Sequence, residues 1–118
     1  MAENKQYITK VQENGSVMIS EDVLAAIVLN AVKEVEGIVG MSAKHGVEIA
    51  KKNSGKGLKI VIGENDEITV ECNVIISYGQ SVVAVAKNVQ EAVTAALESM
   101  TGVKVVAVNV NVCGIVRQ

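Results

Sequence analysis

The chain has 118 residues, which is enough for one domain with one hydrophobic core. Eleven basic and thirteen acidic residues give a formal charge of −2, and the only aromatic residues are two Tyr. This balance argues against nucleic acid as a partner, because nucleic-acid readers need a positive field and commonly stack bases on aromatic rings. Since 23 residues are Val and none is Phe, Trp or Pro, we expect a core of small, stiff β-branched side chains.

The N-terminus and the cysteines predict a cytoplasmic location. Residues 1–6 are polar and precede no long apolar run, so we expect no signal peptide and reduced thiols at Cys72 and Cys113. A disulfide between these two cysteines is the alternative. The longest uninterrupted apolar run, Val23 to Leu29, is far shorter than the roughly 20 residues of a membrane span. We therefore expect no direct membrane insertion, and any membrane association should depend on a partner or on the protein surface.

The beginning of the chain is mostly polar. The sequence predicts a flexible arm over residues 1–14 and a single domain over residues 15–118. Gly15 opens the brief apolar run Val17-Met18-Ile19, which predicts a short strand. Whether this strand forms decides between two orders of elements, β-α-β-β-α-β with it and α-β-β-α-β without it.

A first helix follows this strand. Ser20 is a predicted N-cap, and apolar residues then recur at helical spacing up to Val35. We expect this helix over residues 21–36, ended by Gly37. From Ile38 to Gly57 the pattern predicts an irregular connection with one helical turn at residues 43–52.

The second half of the chain has the clearest patterns. Alternating apolar and polar residues predict a β-hairpin from Leu58 to Tyr78, with a turn at residues 63–67. A second helix is expected over residues 81–100, ended by Gly102. The last strand, over residues 103–113, should contain a bulge or start early, because its valines fall on two different faces. Val106, Val108, Val110 and Val112 are expected on one face, and Val103 and Val105 on the other.

Together these elements predict an α+β fold, a two-layer sandwich with two helices on one face of a three- to four-stranded mixed sheet. The connection through the second helix should be right-handed, which allows both helices to lie on the same face. The opposite sheet face is then bare, and it is either solvated or buried against another chain. The candidate interaction face consists of Val61, Asn73, Ile75, Asn109 and Asn111.

The sequence predicts no enzyme, no cofactor and no metal site. His45, the one histidine, lies in the irregular segment, so no nucleophile and base can be assembled on strand ends. One His and two distant Cys are too few ligands for structural zinc. The segment from Asn53 to Gly57 resembles a phosphate loop only superficially, because a strand follows it rather than precedes it.

Basic residues are concentrated in one segment of the chain. Five of the eleven basic residues fall within sixteen positions that contain a single acid, Glu48. A solvated loop is one interpretation, and contact with an acidic partner, anionic lipid or nucleic acid is the other. The candidate basic loop consists of Lys44, Lys51, Lys52, Lys56 and Lys59.

Six short segments are informative through their order and spacing. They are Gly15 with Val17-x-Ile19-Ser20, the turn Glu34-Val35-Glu36-Gly37-Ile38-Val39-Gly40-Met41, Gly55-Lys56-Gly57, Val89-Gln90, Met100-Thr101-Gly102-Val103 and Val108-Asn109-Val110. Together they resemble the alkaline shock protein family of Gram-positive bacteria, the envelope stress response proteins. The resemblance covers nearly the whole chain and is to the short form, which lacks long charged tails.

The resemblance implies a cytoplasmic, non-enzymatic protein that serves the cell envelope as a structural or interaction module. It implies self-association and a position near the inner face of the membrane, held by a membrane-anchored protein partner. An accessory regulator of lipid metabolism is an alternative. A KH-like RNA-binding module is another, because the element order and the Gly55-Lys56-Gly57 segment loosely resemble KH domains, although the KH loop joins two helices.

Overall fold

A computed structural model describes residues 7–41 and 57–117. The chain is an α+β protein, as its sequence predicts. Within these two segments the elements are, in order, β1 (Tyr7–Gln12), β2 (Gly15–Ser20), α1 (Glu21–Lys33), β3 (Ile38–Met41), β4 (Leu58–Ile62), β5 (Glu67–Ser77), α2 (Val82–Thr101) and β6 (Lys104–Val116).

Strand β5 is the centre of the main sheet. β6 runs parallel to β5 along its whole length and occupies one of its edges. The other edge is shared by two short antiparallel strands, because β4 pairs with the first half of β5 and β3 with the second half. The predicted mixed sheet of three to four strands is therefore confirmed, with four strands.

Buried and less buried side chains alternate along β5 and so define the two faces of this sheet. Every second residue from Ile68 to Ile76 is fully buried, whereas the residues between them are half-buried or exposed. The buried side chains pack with those of the two helices in one core, to which α1 contributes Leu24 and Val28, and α2 contributes Leu97. Val89 and Val93 fill the same layer, so β-branched side chains make up much of the core, as the composition predicts.

Serine side chains begin both helices. The Ser20 hydroxyl accepts a hydrogen bond from the Val23 amide at 3.4 Å, and the Ser81 hydroxyl accepts one from the Ala84 amide at 3.3 Å. Each bond satisfies an amide that has no partner within the first turn of its helix. The predicted helix over residues 81–100 is confirmed within one residue at each end.

The first helix is shorter than predicted. It ends at Lys33 with Glu34 as its C-cap, and the chain then turns through Gly37, which has a φ of +99°. A Cβ at this position would lie 2.9 Å from the Val85 Cγ2 atom, so the turn packs tightly against α2. This turn leads into β3, which the sequence analysis missed because a bulge at Val39 interrupts its alternation.

The predicted arm over residues 1–14 contains a strand. β1 pairs with β2 in a separate two-stranded sheet, and these two strands form a hairpin with a two-residue turn. Ile8 is fully buried and Ile19 packs against the same core, so the hairpin is attached to the domain through one of its faces. The Lys10 ammonium group adds a hydrogen bond to the Gly102 carbonyl at 3.1 Å. The expectation of a flexible arm is therefore corrected for Tyr7–Gln12.

The bulge expected in the last strand is present, but the predicted faces were wrong. Val105 aligns with Ile68 and Ala107 with Thr69, so Val106 is the extra residue and points its side chain into solvent. Val105 therefore shares the inner face with Val108 instead of lying opposite it. A second register shift follows Val112. A bulge reverses the alternation locally, so the faces cannot be read from alternation alone before the bulge is located.

Candidate functional site

The candidate site is the sheet surface that the helices do not cover, which we call the outer face. Its residues alternate with the buried ones on each strand, and the strand registers place them in rows across the sheet. All five residues of the candidate interaction face lie on this surface. The outer face consists of Lys59 and Val61 from β4, Glu67, Thr69, Glu71, Asn73, Ile75 and Ser77 from β5, and Lys104, Ala107, Asn109, Asn111, Gly114 and Val116 from β6.

One half of the outer face is charged. Lys59 stands directly opposite Glu71, and Lys104 stands opposite Glu67. The Glu67 carboxylate also accepts a hydrogen bond from the Asn65 amide at 3.1 Å, within the turn between β4 and β5. Because each lysine faces a glutamate across the strands, this half has both signs of charge and no net positive field.

The other half is neutral and centres on Ile75. In the strand registers, Ile75 lies between Gly40 of β3 and Gly114 of β6. Neither glycine has a side chain that could cover Ile75. The half-buried Ile75 side chain is therefore flanked in its row by backbone alone. This half also contains an amide pair, in which Asn111 Nδ2 donates to Asn73 Oδ1 at 2.9 Å.

Most of the candidate basic loop lies outside the described residues. Lys44, Lys51, Lys52 and Lys56 fall there, as does His45. Lys59 is described, and it is an exposed residue of β4 on the outer face. The role of the candidate basic loop therefore stays a prediction.

The described part of the Gly55-Lys56-Gly57 segment does not support the KH-like alternative. Gly57, the last residue of the Gly-Lys-Gly segment, has a φ of +77° and leads directly into β4. A strand thus follows this segment, whereas in a KH domain the corresponding loop joins two helices.

The structure adds one groove that the sequence analysis missed. It lies between α1 and α2 and has a volume of about 430 Å³. No motif indicates it, because it arises from small side chains on two helices that are distant in sequence. The groove is lined by Ile27, Asn30, Ala31, Glu34, Val35, Ala92, Ala96 and Met100.

Two observations concern metal ions and membranes. In the described part of the chain, no three His, Cys, Asp or Glu side chains come together in a group that could hold a metal ion. Over the same residues, no helix has the length and apolar character that crossing a membrane requires.

The two cysteines are free and lie in contrasting environments. Cys72 is buried on the inner face of β5, and Cys113 is exposed on β6. Burial, with a smaller contribution from the nearby Glu71 carboxylate, raises the pKa of the Cys72 thiol from 9.0 to about 12. Since the thiolate is the reactive form, Cys72 should be chemically inert in the folded protein.

We expect a thiol reagent at pH 8 to modify one cysteine of the folded protein and two of the unfolded protein. Cys113→Ser should abolish the native reaction, whereas Cys72→Ala should leave it unchanged.

The raised pKa of Cys72 also predicts that the free energy of unfolding falls as the pH rises from 9 towards 12, because over this range the unfolded state loses a proton that Cys72 retains when folded. Denaturation of the protein and of Cys72→Ala across this range measures the difference. Equal pH slopes would contradict the prediction.

The fold and the outer face define a small α+β domain with one sheet surface that its described helices leave uncovered. The sequence model of the alkaline shock protein 23 family, described as having a cell envelope-related function, matches residues 9–117. The chain therefore belongs to this family, and the resemblance drawn from its motifs is confirmed.

Relatives of similar length occur in Gram-positive bacteria. The chain is 35% identical over 107 residues to the uncharacterized protein Spy1614 of Streptococcus pyogenes, covering 85% of this chain and 87% of the relative. It is 32% identical over 107 residues to the uncharacterized protein YloU of Bacillus subtilis, covering 86% and 88%. Among solved structures, variants of MamM CTD match 80% of this chain with 16% identity and a TM-score of 0.49. That likeness is too distant to bear on function.

Proposed function

We propose that this protein is a non-enzymatic interaction module of the cell envelope. In this proposal it acts in the cytoplasm, at the inner face of the membrane, where a membrane-anchored protein holds it. The cell envelope-related function of its family supports the setting. The outer face supports binding to a protein, for the reasons that follow.

The observation that carries the proposal is the isolation of Ile75. This side chain lies between Gly40 and Gly114, so it has no cross-strand side-chain neighbour in its row. Cross-strand neighbours normally shield an apolar residue on an exposed sheet face. A partner with an apolar pocket could cover Ile75 instead, and completing the burial of this half-buried side chain is worth part of the about 1.5–3 kcal/mol that burying a fully exposed one gives. An apolar anchor of this kind, surrounded by polar groups, is the usual centre of a protein interface.

The polar groups around Ile75 also fit a protein partner. A side-chain amide has two donor hydrogens and an oxygen with two lone pairs, so the bond between Asn111 and Asn73 leaves most of this capacity available. Protein backbone and side chains offer both donors and acceptors that match it. Anionic lipid needs an excess of cations, whereas Lys59 and Lys104 each stand opposite a glutamate.

The proposal is tested by placing charges on the outer face. Val61→Lys combined with Ile75→Lys should leave the fold intact, because both side chains point away from the core. We expect the wild type to sediment with the membrane fraction of the native host, and the double variant to move largely into the supernatant. Glu91→Lys, at an exposed position on α2, changes charge away from the sheet and should behave as wild type.

Two further measurements identify what holds the protein at the membrane. Purified protein should not float with liposomes of the host lipids, and membranes stripped of protein by protease should no longer retain it. Retention of the double variant at the wild-type level would overturn the role of the outer face. Binding to protein-free liposomes would overturn the protein partner.

A further inference from the structure

Strand β6 lies at an edge of the main sheet and lacks the features that usually prevent an edge strand from pairing with another chain. It has 13 residues, which corresponds to an edge of roughly 43 Å. Within the described residues no strand other than β5 pairs with β6, so the backbone groups of its other edge belong to no described β-ladder. Between Lys104 and Arg117 the strand contains no charged residue and no Pro, the residues that usually prevent such an edge from pairing.

The inner face of β6 is also incompletely covered. Val110 lies beside Cys72 and Val112 lies beside Val74, in the same rows of the sheet. The two residues on β5 are fully buried, whereas both valines on β6 are only partly buried. The helices therefore cover the centre of the sheet and leave its β6 side partly exposed. A further strand beside β6 would bury these valines.

We propose that two copies of this chain pair through β6, antiparallel to each other and related by a two-fold axis at Val110. This pairing joins the two four-stranded sheets into one continuous sheet with all helices on the same side. It goes beyond the proposed function, since it uses an edge of the sheet and, of the outer face, only Asn109 and Asn111, and it leaves Val61 and Ile75 of each copy free. A dimer then presents two outer faces to the membrane-anchored partner, which strengthens attachment through avidity.

The side chains favour this alignment. Residues directly opposite each other in a sheet must point to the same face, so the axis has to pass through a residue and not between two residues. With the axis at Val110, Asn109 faces Asn111 of the second copy, and Val108 faces its Val112. An axis at Asn109 would place Asn111 opposite Ala107, and an axis at Asn111 would place Asn109 opposite Cys113, next to the second register shift.

Hydrogen bonding extends across the proposed contact. Asn111 already donates to Asn73 within one chain, which leaves the Asn111 oxygen able to accept from Asn109 of the second copy. Asn109 in turn stands beside Glu71 in the sheet. The result is a continuous row of polar side chains, Glu71 and Asn109 of one copy followed by Asn111 and Asn73 of the other. Side chains directly opposite each other in antiparallel strands are about 5 Å apart, within reach of such bonds.

Charge selects the antiparallel direction. A parallel pairing in register would place Lys104 against Lys104 and Arg117 against Arg117, at both ends of the strand. The antiparallel pairing about Val110 instead places Lys104 opposite Val116 of the second copy, and Arg117 opposite its Val103. Like charges directly opposite each other are destabilising, so of these two arrangements the antiparallel one avoids this cost.

Two backbone carbonyls of β6 already accept hydrogen bonds from side chains, and one of them, the Asn111 carbonyl, accepts from the Cys113 thiol at 3.8 Å. The Val108 carbonyl accepts a hydrogen bond from Gln90 Nε2 at 3.0 Å. A carbonyl oxygen has two lone pairs, so neither bond prevents the same group from accepting a second one. The remaining groups of the edge, which belong to no described β-ladder, are sufficient to begin one.

The first test is sedimentation of the full chain over a range of concentrations. We expect a reversible dimer. Asn109→Lys combined with Asn111→Lys should weaken it at least about tenfold, because each new lysine faces another across the axis. Asn109→Asp combined with Asn111→Asp should also weaken it, whereas a mixture of the two variants should form a heterodimer. Val61→Lys combined with Ile75→Lys should leave the dimer intact, which separates this edge from the outer face.

The second test uses nearly isosteric changes and does not depend on charge. In a Cys113→Ser background, a chain with Asn109→Cys is mixed with a chain with Asn111→Cys under mild oxidation. The mixture should form disulfide-linked dimers several-fold faster than either chain alone, because position 109 faces position 111 and not itself. Circular dichroism verifies that each variant is folded.

Three results would overturn the proposal. The first is a chain that stays monomeric at all concentrations. The second is a dimer that the paired lysine substitutions leave unchanged, and the third is equal cross-linking in the mixture and in the separate chains. Failure here leaves the proposed function standing, since membrane retention is measured on a different variant and depends on the outer face.

Discussion

Replacing Leu97 with Ala is expected to lower the free energy of unfolding by about 3 kcal/mol. Leu97 lies near the end of α2 and is fully buried in the core. The loss combines the transfer energy of the removed atoms with the cost of the cavity they leave. Relaxation of the core reduces this cost little, because its stiff valines, such as Val93 one turn earlier on α2, have few rotamers with which to fill the space.

Urea denaturation of the wild type and of Leu97→Ala measures this difference. The matched control is Val83→Ala on the same helix, where the side chain is 78% exposed and removes little area from water. It should change stability by less than about 0.5 kcal/mol. A loss of under about 1 kcal/mol for Leu97→Ala would show that this core relaxes readily into cavities, contrary to its valine-rich composition.

Much of the central fold could be predicted from the sequence. β4 and β5 alternate cleanly because one face of each strand is buried and the other is not. α2 is long enough for its apolar positions to repeat over five turns, and Gly102 marks its end. In these elements, local propensity, periodicity and stop signals agree with the tertiary structure. Their type and bounds can therefore be predicted from the sequence.

The β1–β2 hairpin was missed although a signal was present. Asn14-Gly15 is a common turn dipeptide that lies within one residue of the actual turn, Glu13-Asn14, and the strands on either side have the length of a typical hairpin. The mostly polar composition of the first residues favoured an arm instead. Among the described apolar residues of the hairpin, Ile8 and Ile19 pack against the core, so the pattern contains too few apolar positions to reveal which face is buried.

The outer face could be predicted in composition but not in detail. The alternation of apolar and polar residues along β5 predicts that Asn73 and Ile75 lie on it. The isolation of Ile75 could not be predicted, because it depends on Gly40 in a strand that the sequence does not reveal, and on Gly114 beyond a bulge. The position of Ile75 between these two glycines depends on the register between strands that are distant in sequence. A local sequence pattern does not determine that register.

The junction between α2 and β6 links the core to both proposed surfaces. It determines where β6 begins, and therefore which of its residues face the sheet and which face outward. Thr101 Oγ1 donates to the Leu97 carbonyl at 2.6 Å and accepts from the Val103 amide at 3.3 Å. Lys10 of the hairpin contacts the Gly102 carbonyl at the same place. Three parts of the fold thus meet within a few residues.

Gly102→Val is expected to lower the free energy of unfolding by about 2 kcal/mol. Gly102 is the C-cap of α2 and has a left-handed φ of +73°, and its amide donates to the Glu98 carbonyl at 3.0 Å. Glycine adopts this conformation at no steric cost, whereas it is a severe outlier for a β-branched residue. Space is not the limit, because an added Cβ would be 3.7 Å from the Lys10 side chain, an ordinary contact.

The control that separates conformation from bulk is Gly102→Asn. Asn is larger than Gly but tolerates the left-handed region, so this variant should lose less than half as much stability as Gly102→Val. Thermal and urea denaturation measure both. If Val adopts another backbone conformation to escape the strain, the start of β6 must shift with it, and amide hydrogen exchange should then accelerate first from Val103 to Ala107. Equal losses for Val and Asn, with unchanged exchange in this segment, would show that bulk and not the left-handed cap determines the cost.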